Sequence, residues 1–285
     1  LIPQLSNHLN QIHDTEFSNK FWSFLFGPWL YCFLNILLDR YKSLKNASEL
    51  GYNLETVVAS NSYTPENFSI FFNLMVDDCY NYILYSDIIK NSIMRINYDE
   101  LDFKNKIGIT DVSHKSTNSI LTQHTHNALR RLLSNILSPN KRESLTRRIL
   151  DYYKPDSDVQ IVNSGMHDKD VRFFFKSLNH KLNTRFDIKS ISPVLNKPTN
   201  EDLRSIPIKT KEDDQFTQIA KKLIMRHIPK EYLEYFEEWR SLSNSKSSYA
   251  KNPKVIILRS PSETHSLYRY YCAEKCLICN QRCLF

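Results

Sequence analysis

KVIILRSPSETHSLYRYYCAEK, residues 254–275, decides the fold. Val255 to Leu258 is an uninterrupted apolar run, the pattern of a strand covered on both faces. Arg259 to Ser262 carries turn chemistry, and Ser262 is placed to cap a following helix. The apolar face resumes at Leu267 and at Tyr270 or Tyr271. Strand, tight serine-bearing turn and helix form the opening unit of a parallel α/β layer. A helix N-terminus there offers N–H groups to a phosphate, which makes Arg259, Ser260 and Ser262 the best anion contacts. One strand and one helix cannot bury a core alone. The expected fold class is therefore α/β, predominantly helical, with residues 254–285 as the first βα unit of an incomplete Rossmann-like C-terminal domain.

The segment that follows, CLICNQRCLF, brings Cys276, Cys279 and Cys283 close to Cys272. Four thiolates suffice for zinc or an iron–sulfur cluster, and the first three have the spacing of a radical iron–sulfur loop. Structural zinc, however, ties two chain segments together, and this is a single run that begins within a helix. A cluster enzyme also needs a barrel around its cofactor, for which no chain remains. The expectation is a tail without metal or cofactor, aberrant from about Cys276. Cys32 and Cys79, far apart in sequence, read as reduced thiols of a cytoplasmic protein.

Working outward, 246–253 within SNSKSSYAKNP is the best linker, which leaves 1–245 as a largely helical N-terminal domain. Residues 213–245 read as two helices. The first is capped by Asp213 and striped by Phe216, Ile219, Leu223 and Ile224. The second begins at Pro229 and carries Tyr232, Leu233, Phe236 and Trp239. The span 186–212, with Pro193, Pro198 and Pro207, reads as extended connection, and 158–165 as a short strand. Residues 127–153 form two helices broken at Pro139. They are the most basic segment, through Arg130, Arg131, Lys141, Arg142, Arg147 and Arg148. His124 and His126 sit at the entrance to it. Residues 65–92 read as one helix whose adjacent Asp77 and Asp78 point about 100° apart and so form an exposed acidic face rather than a metal pair. Residues 21–38, FWSFLFGPWLYCFLNILL, carry no charge. Gly27-Pro28 predicts a break there, with a helix ending near Phe26 and a buried one starting at Pro28; a membrane segment is the alternative.

The bulk composition excludes more than it selects. Hydrophobic content is 41% and charged content 24% of 285 residues, ordinary for a folded chain. The four glycines lie far apart, so a P-loop or dinucleotide fingerprint is absent. A net charge of +7 is scattered over the chain, which argues against nucleic acid as a partner. LIPQLSNHLN has neither a basic start nor an apolar run, so no signal peptide is read there.

Three blocks together resemble a known family: 9–41, 69–89, and 216–275. The most specific features are His13 ahead of Phe21-Trp22, then Gly27-Pro28-Trp29, Asp39-Arg40 and Ala273-Glu274-Lys275. They are similar to transferases encoded in bacterial surface-polysaccharide and O-antigen gene clusters. The resemblance implies a two-domain α/β protein in the style of GT-B glycosyltransferases. It implies a cytoplasmic or membrane-associated enzyme taking a phosphate-linked sugar donor and a glycan or lipid-linked acceptor. On that footing His13 is the candidate base, and Arg259, Ser260, Ser262 and Lys275 are the phosphate-side candidates. Two departures from the family pattern, before Leu1 and after Lys275, lead to the expectation of a truncated, inactive fragment. The competing expectation is a non-catalytic helical scaffold that meets an anionic surface through 127–148.

Overall fold

The computed structural model describes residues 1–102, 157–162, 173, 176–177, 182–183, 198–205, 208, 214–245, 250–258, 265–275 and 282–284. In chain order these form α1 (Ile2–His13), α2 (Asn19–Ser48), β1 (Leu54–Ala59), α3 (Phe68–Leu74), α4 (Asp78–Asn91) and β2 (Ile96–Leu101). There follow β3 (Val159–Val162), β4 (Leu182–Asn183), α5 (Glu201–Ser205), α6 (Gln215–His227), a 3-10 turn at Lys230–Tyr232, α7 (Phe236–Ser245), β5 (Val255–Leu258), α8 (Ser266–Ala273) and β6 (Arg282–Leu284). The chain is mainly helical with small parallel sheets, an α/β protein.

The chain divides into two compact units, neither continuous in sequence. Unit 1 comprises 1–109, 193–241 and 264–270; unit 2 comprises 110–192, 242–263 and 271–285. This differs from the division 1–245, 246–253 and 254–285 expected from composition. Ala250, in the expected linker, is buried. Its N–H donates to Gln160 Oε1 at 2.8 Å, and its carbonyl accepts from Tyr271 Oη at 2.8 Å. A polar, serine-rich run advertises solvent exposure, but at Ala250 these two side chains satisfy a buried backbone N–H and carbonyl.

Unit 1 is built around α2. Trp22, Leu25, Phe26, Trp29, Leu30, Phe33, Leu37 and Tyr41 are all buried, and they recur at the three- and four-residue spacing of one helical face. The helix runs unbroken through Pro28, contrary to the expected break. Interior proline costs about 3 kcal/mol through its missing N–H and ring clash. Burying a single large apolar side chain returns about 1.5–3 kcal/mol, so the aromatic stripe on both sides of Pro28 outweighs the local penalty. Trp29 stacks on Phe33 at 5.3 Å and meets Phe71 edge-on at 6.1 Å.

The single helix expected over 65–92 is two. Asp77 is the N-cap of α4, its Oδ1 accepting from the Tyr80 N–H at 2.8 Å, and Asp78 lies in the first turn. The acidic pair is thus a helix start, where carboxylates offset the positive end of the dipole. Strands β1 and β2 escape the sequence reading. They pair in parallel from Leu54↔Ile96 to Ala59↔Leu101, with α3 and α4 in the crossover between them. β2, INYDEL, is exposed at all but its first position, so it has no apolar alternation to betray it.

Unit 2 contains a four-stranded parallel sheet in the order β4-β3-β5-β6. β5 is therefore not a lone βα unit, as was expected. Val159↔Val255 through Val162↔Leu258 join it to β3, and Val255↔Arg282 through Ile257↔Leu284 join it to β6. Two flanking strands satisfy the ladder groups of β5 on both edges; Ile256 is fully buried and Val255 and Ile257 are half-buried. One of them lies in the segment that was read as aberrant. Helix α8 begins at Ser266, and residue 265 is not helical; Ser262, the expected N-cap, lies outside the described residues. The second helix expected from Pro229 is instead a 3-10 turn followed by α7, and α6 is capped by Asp214, one residue beyond the expected Asp213.

Candidate functional site

His13 is the last residue of α1. Beyond it Asp14 turns into the left-handed region, φ 50°, and returns its N–H to the Asn10 carbonyl. Such a conformation is uncommon for a residue other than glycine. It ends α1 abruptly and lets the chain re-enter a helix at Ser18, whose Oγ accepts from the Phe21 N–H at 3.2 Å. The imidazole stacks on Phe236 at 4.4 Å and on Trp22 at 5.9 Å. Its Nε2 lies 3.0 Å from the Tyr232 carbonyl oxygen.

That contact fixes the chemistry of the ring. A carbonyl oxygen only accepts, so Nε2 carries the hydrogen, and in the neutral imidazole the lone pair falls on Nδ1. Burial lowers the His13 pKa, against the opposing pull of the Tyr232 carbonyl, Glu237 and Glu234. The ring is thus biased to the neutral form at neutral pH, with Nδ1 able to take a proton.

The Tyr232 carbonyl belongs to a firmly held turn. The backbone N–H groups of Lys230 and Glu231 donate to the carbonyls of Pro65 and Glu66 at 2.9 and 3.0 Å. Lys230 Nζ meets Glu66 Oε1 at 2.8 Å. Glu231 Oε1 accepts from the Phe68 N–H at 2.7 Å, and the Glu231 carbonyl accepts from Tyr270 Oη at 2.6 Å. Glu231 is fully buried. Its pKa is pushed up to about 7 by desolvation, with bonds from Ser266, Phe68 and Tyr232 and the charge of Arg269 working the other way. In sequence, Lys230-Glu231 reads as a solvated pair; only Pro229 before it hints at a fixed turn.

A second polar cluster in unit 1 has the outline of a relay. Tyr80 Oη lies 3.1 Å from His227 Nδ1, and His227 Nε2 lies 2.9 Å from Asp87 Oδ2. Arg226 meets Asp87 Oδ1 at 3.1 Å. Tyr80 and His227 are both 0% exposed, and burial pushes the Tyr80 hydroxyl well above its ordinary pKa. A phenol sealed from solvent and held protonated is no nucleophile; the cluster is a satisfied core network tying α4 to α6. Arg204 does similar work for the end of α6. It donates to the Met225, Arg226 and Ile228 carbonyls at 2.9, 3.2 and 2.9 Å while paired with Glu234 at 2.7 Å.

Lys275 belongs to unit 2, just past α8, and is half-buried. Arg259, Ser260 and Ser262 lie outside the described residues, as do His124, His126 and the basic segment 127–148. Of the cysteine cluster, Cys272 is fully buried in α8. Cys276, Cys279 and the side chain of Cys283 lie outside the described residues. Among the described residues no three His, Cys, Asp or Glu side chains gather as metal ligands. One described helix, α2, is long and apolar enough to cross a membrane, with 44% of its most apolar window buried; the buried face is the one packed on α1, α3, α4 and α6.

No curated protein matches the chain, and no solved structure matches it. A family model does, over residues 1–281: it is described as LIC12162 family transferase.

Proposed function

The chain belongs to the LIC12162 family of transferases, and from that premise we propose that it moves a glycosyl or related group from a phosphate-linked sugar donor to a glycan or lipid-linked acceptor. Membership of a transferase family implies a donor and an acceptor in general; the surface-polysaccharide or O-antigen setting and the GT-B style are finer points of this reading. The observation that carries it is the His13 imidazole, neutral by burial and held with Nε2–H on the Tyr232 carbonyl. Its Nδ1 takes the proton of an acceptor hydroxyl as that oxygen bonds to the donor carbon. The bond from carbon to the phosphate oxygen breaks, and the leaving phosphate keeps the electron pair. Arg259, Ser260, Ser262 and Lys275 supply the phosphate side of the proposal by the chemistry of their side chains. No cofactor enters the reaction, and the enzyme works at the cytoplasmic side, free or in contact with the membrane.

Inactivity was expected from the departures before Leu1 and after Lys275; the pairing of β6 with β5 within the second of these segments supports proposing an active transferase instead. Calorimetry with a panel of nucleotide sugars tests it. Saturable binding of one donor is expected, with His13→Gln retaining that binding and losing about 10²–10⁴-fold in transfer rate. Absence of saturable binding, together with binding to anionic vesicles, overturns it in favour of the scaffold.

A further inference from the structure

The catalytic reading depends on what holds His13 in one orientation, and the connection between α1 and α2 carries an answer. Asn10 lies one turn before His13 on α1. Its Oδ1 accepts from Trp22 Nε1 at 2.7 Å, from Thr15 Oγ1 at 2.9 Å and from the Phe17 N–H at 3.1 Å. Its Nδ2 donates to the Phe17 carbonyl at 2.9 Å. Its own backbone carbonyl accepts from the N–H groups of Asp14 and Thr15. A side-chain amide oxygen offers two lone pairs, so three converging donors use its capacity fully. The whole reversal over 14–18 is wound around this one residue.

Two of these bonds bear on the imidazole. The bond from Trp22 Nε1 fixes the indole, and that ring is one of the two on which His13 stacks. The bonds to Phe17 and Thr15 hold the left-handed turn at Asp14, which sets where α1 stops and so where His13 leaves the helix. A free imidazole in water populates both neutral tautomers; here only one lets the ring meet Tyr232.

We propose that Asn10 is the positioning residue of His13, locking its ring against Trp22 so that Nε2–H faces the Tyr232 carbonyl and Nδ1 is left to accept a proton. Asn10 touches neither donor nor acceptor. The inference rests on the reading of His13 as the base, but its test does not require turnover.

The test is nitrogen NMR of the full chain with labelled histidine. In the unaltered protein His13 shows a single neutral tautomer, Nε2–H. In Asn10→Ala, folded by far-UV dichroism, both tautomers appear. The titration midpoint rises toward the ordinary imidazole value as water reaches the ring, with Glu234 and Glu237 still facing it. Asn10→Asp keeps an acceptor oxygen and restores the single tautomer. A role confined to stability lowers the melting temperature and leaves the tautomer alone. A folded Asn10→Ala with one tautomer and an unmoved midpoint overturns the proposal. Where Asn10→Ala fails to fold, Trp22→Phe removes the indole donor together with part of the ring on which His13 stacks, and an unchanged tautomer there overturns it equally. If the tautomer follows Asn10 while His13→Gln retains transfer, the positioning stands and the base assignment falls.

Discussion

Glu231 sits at 0% exposure with its pKa at about 7 instead of the usual 4.5, which ties stability to pH. Between those values the folded chain binds the proton and the unfolded chain does not. Stability from this group is therefore complete below pH 4.5 and is lost as pH rises toward and through 7. The loss amounts to about 3 kcal/mol at 1.36 kcal/mol per unit. Glu231→Gln, which keeps an acceptor for the Phe68 N–H, is expected to remove this decline, so that denaturant midpoints of the two proteins converge at low pH and separate above 7. His13 has the opposite sign. Its lowered pKa makes the unfolded chain protonate first, so its contribution is lost as pH falls below 6.5 and levels off under the folded pKa. Of these two residues, sequence reasoning singled out His13, on the footing of the family resemblance. It missed Glu231, because nothing local distinguishes a buried glutamate from a solvated one when its partners lie at Phe68, Ser266 and Arg269.

At the scale of elements, α2 carries two residues poorly suited to a helix interior. Gly27 is not there for space: a Cβ on it would meet only Ser23 Oγ at 3.6 Å, an ordinary contact. Gly27→Ala is expected to stabilise the protein by about 0.5–1 kcal/mol, read as a higher urea midpoint with an unchanged slope. Gly51 makes the contrast, since its φ of 78° strains any side chain placed there. Among the caps, Asp214 Oδ1 accepts from the Thr217 N–H at 2.8 Å. Asp214→Ala is expected to cost about 1 kcal/mol, measured the same way. The apolar stripe of α6 was legible because it is a local pattern, while its cap was placed one residue early, at Asp213 instead of Asp214. The expected break at Pro28 was wrong for a related reason. Local propensity was weighed alone, while Trp22, Phe26, Trp29 and Phe33 contribute through packing that only the folded chain shows.

For the molecule as a whole, the buried ion pair of Arg204 and Glu234, 3% and 4% exposed at the side chains, closes the end of α6. Arg204→Met takes its bonds from the Met225, Arg226 and Ile228 carbonyls and leaves the buried Glu234 carboxylate without its cation, although the Asn200 N–H still donates to Glu234 and Thr64 Oγ1 to the Arg226 carbonyl. It is expected to cost about 3–5 kcal/mol, checked by the denaturant midpoint, whereas the double replacement Arg204→Met with Glu234→Leu recovers part of the loss. The α/β class was legible from VIIL at 255–258 and from the strand candidate at 158–165. Their pairing was not, because Val159 meets Val255 across nearly a hundred intervening residues, and no periodicity reports so distant a partner. Each compact unit likewise draws on three separate stretches of chain, an interleaving that no shift in composition reports.

That interleaving has a consequence for how the protein is made. The apolar face of α2 leaves the ribosome early, yet Trp22, Trp29 and Phe33 rest on Phe236, Tyr232 and His227, which are translated some two hundred codons later. At ordinary elongation rates the nascent polypeptide carries this aromatic stripe without its final covering for about 10–40 s. Codon choices that slow elongation between positions 41 and 216 lengthen that interval and are expected to lower the yield of soluble protein, read by comparing recoded genes.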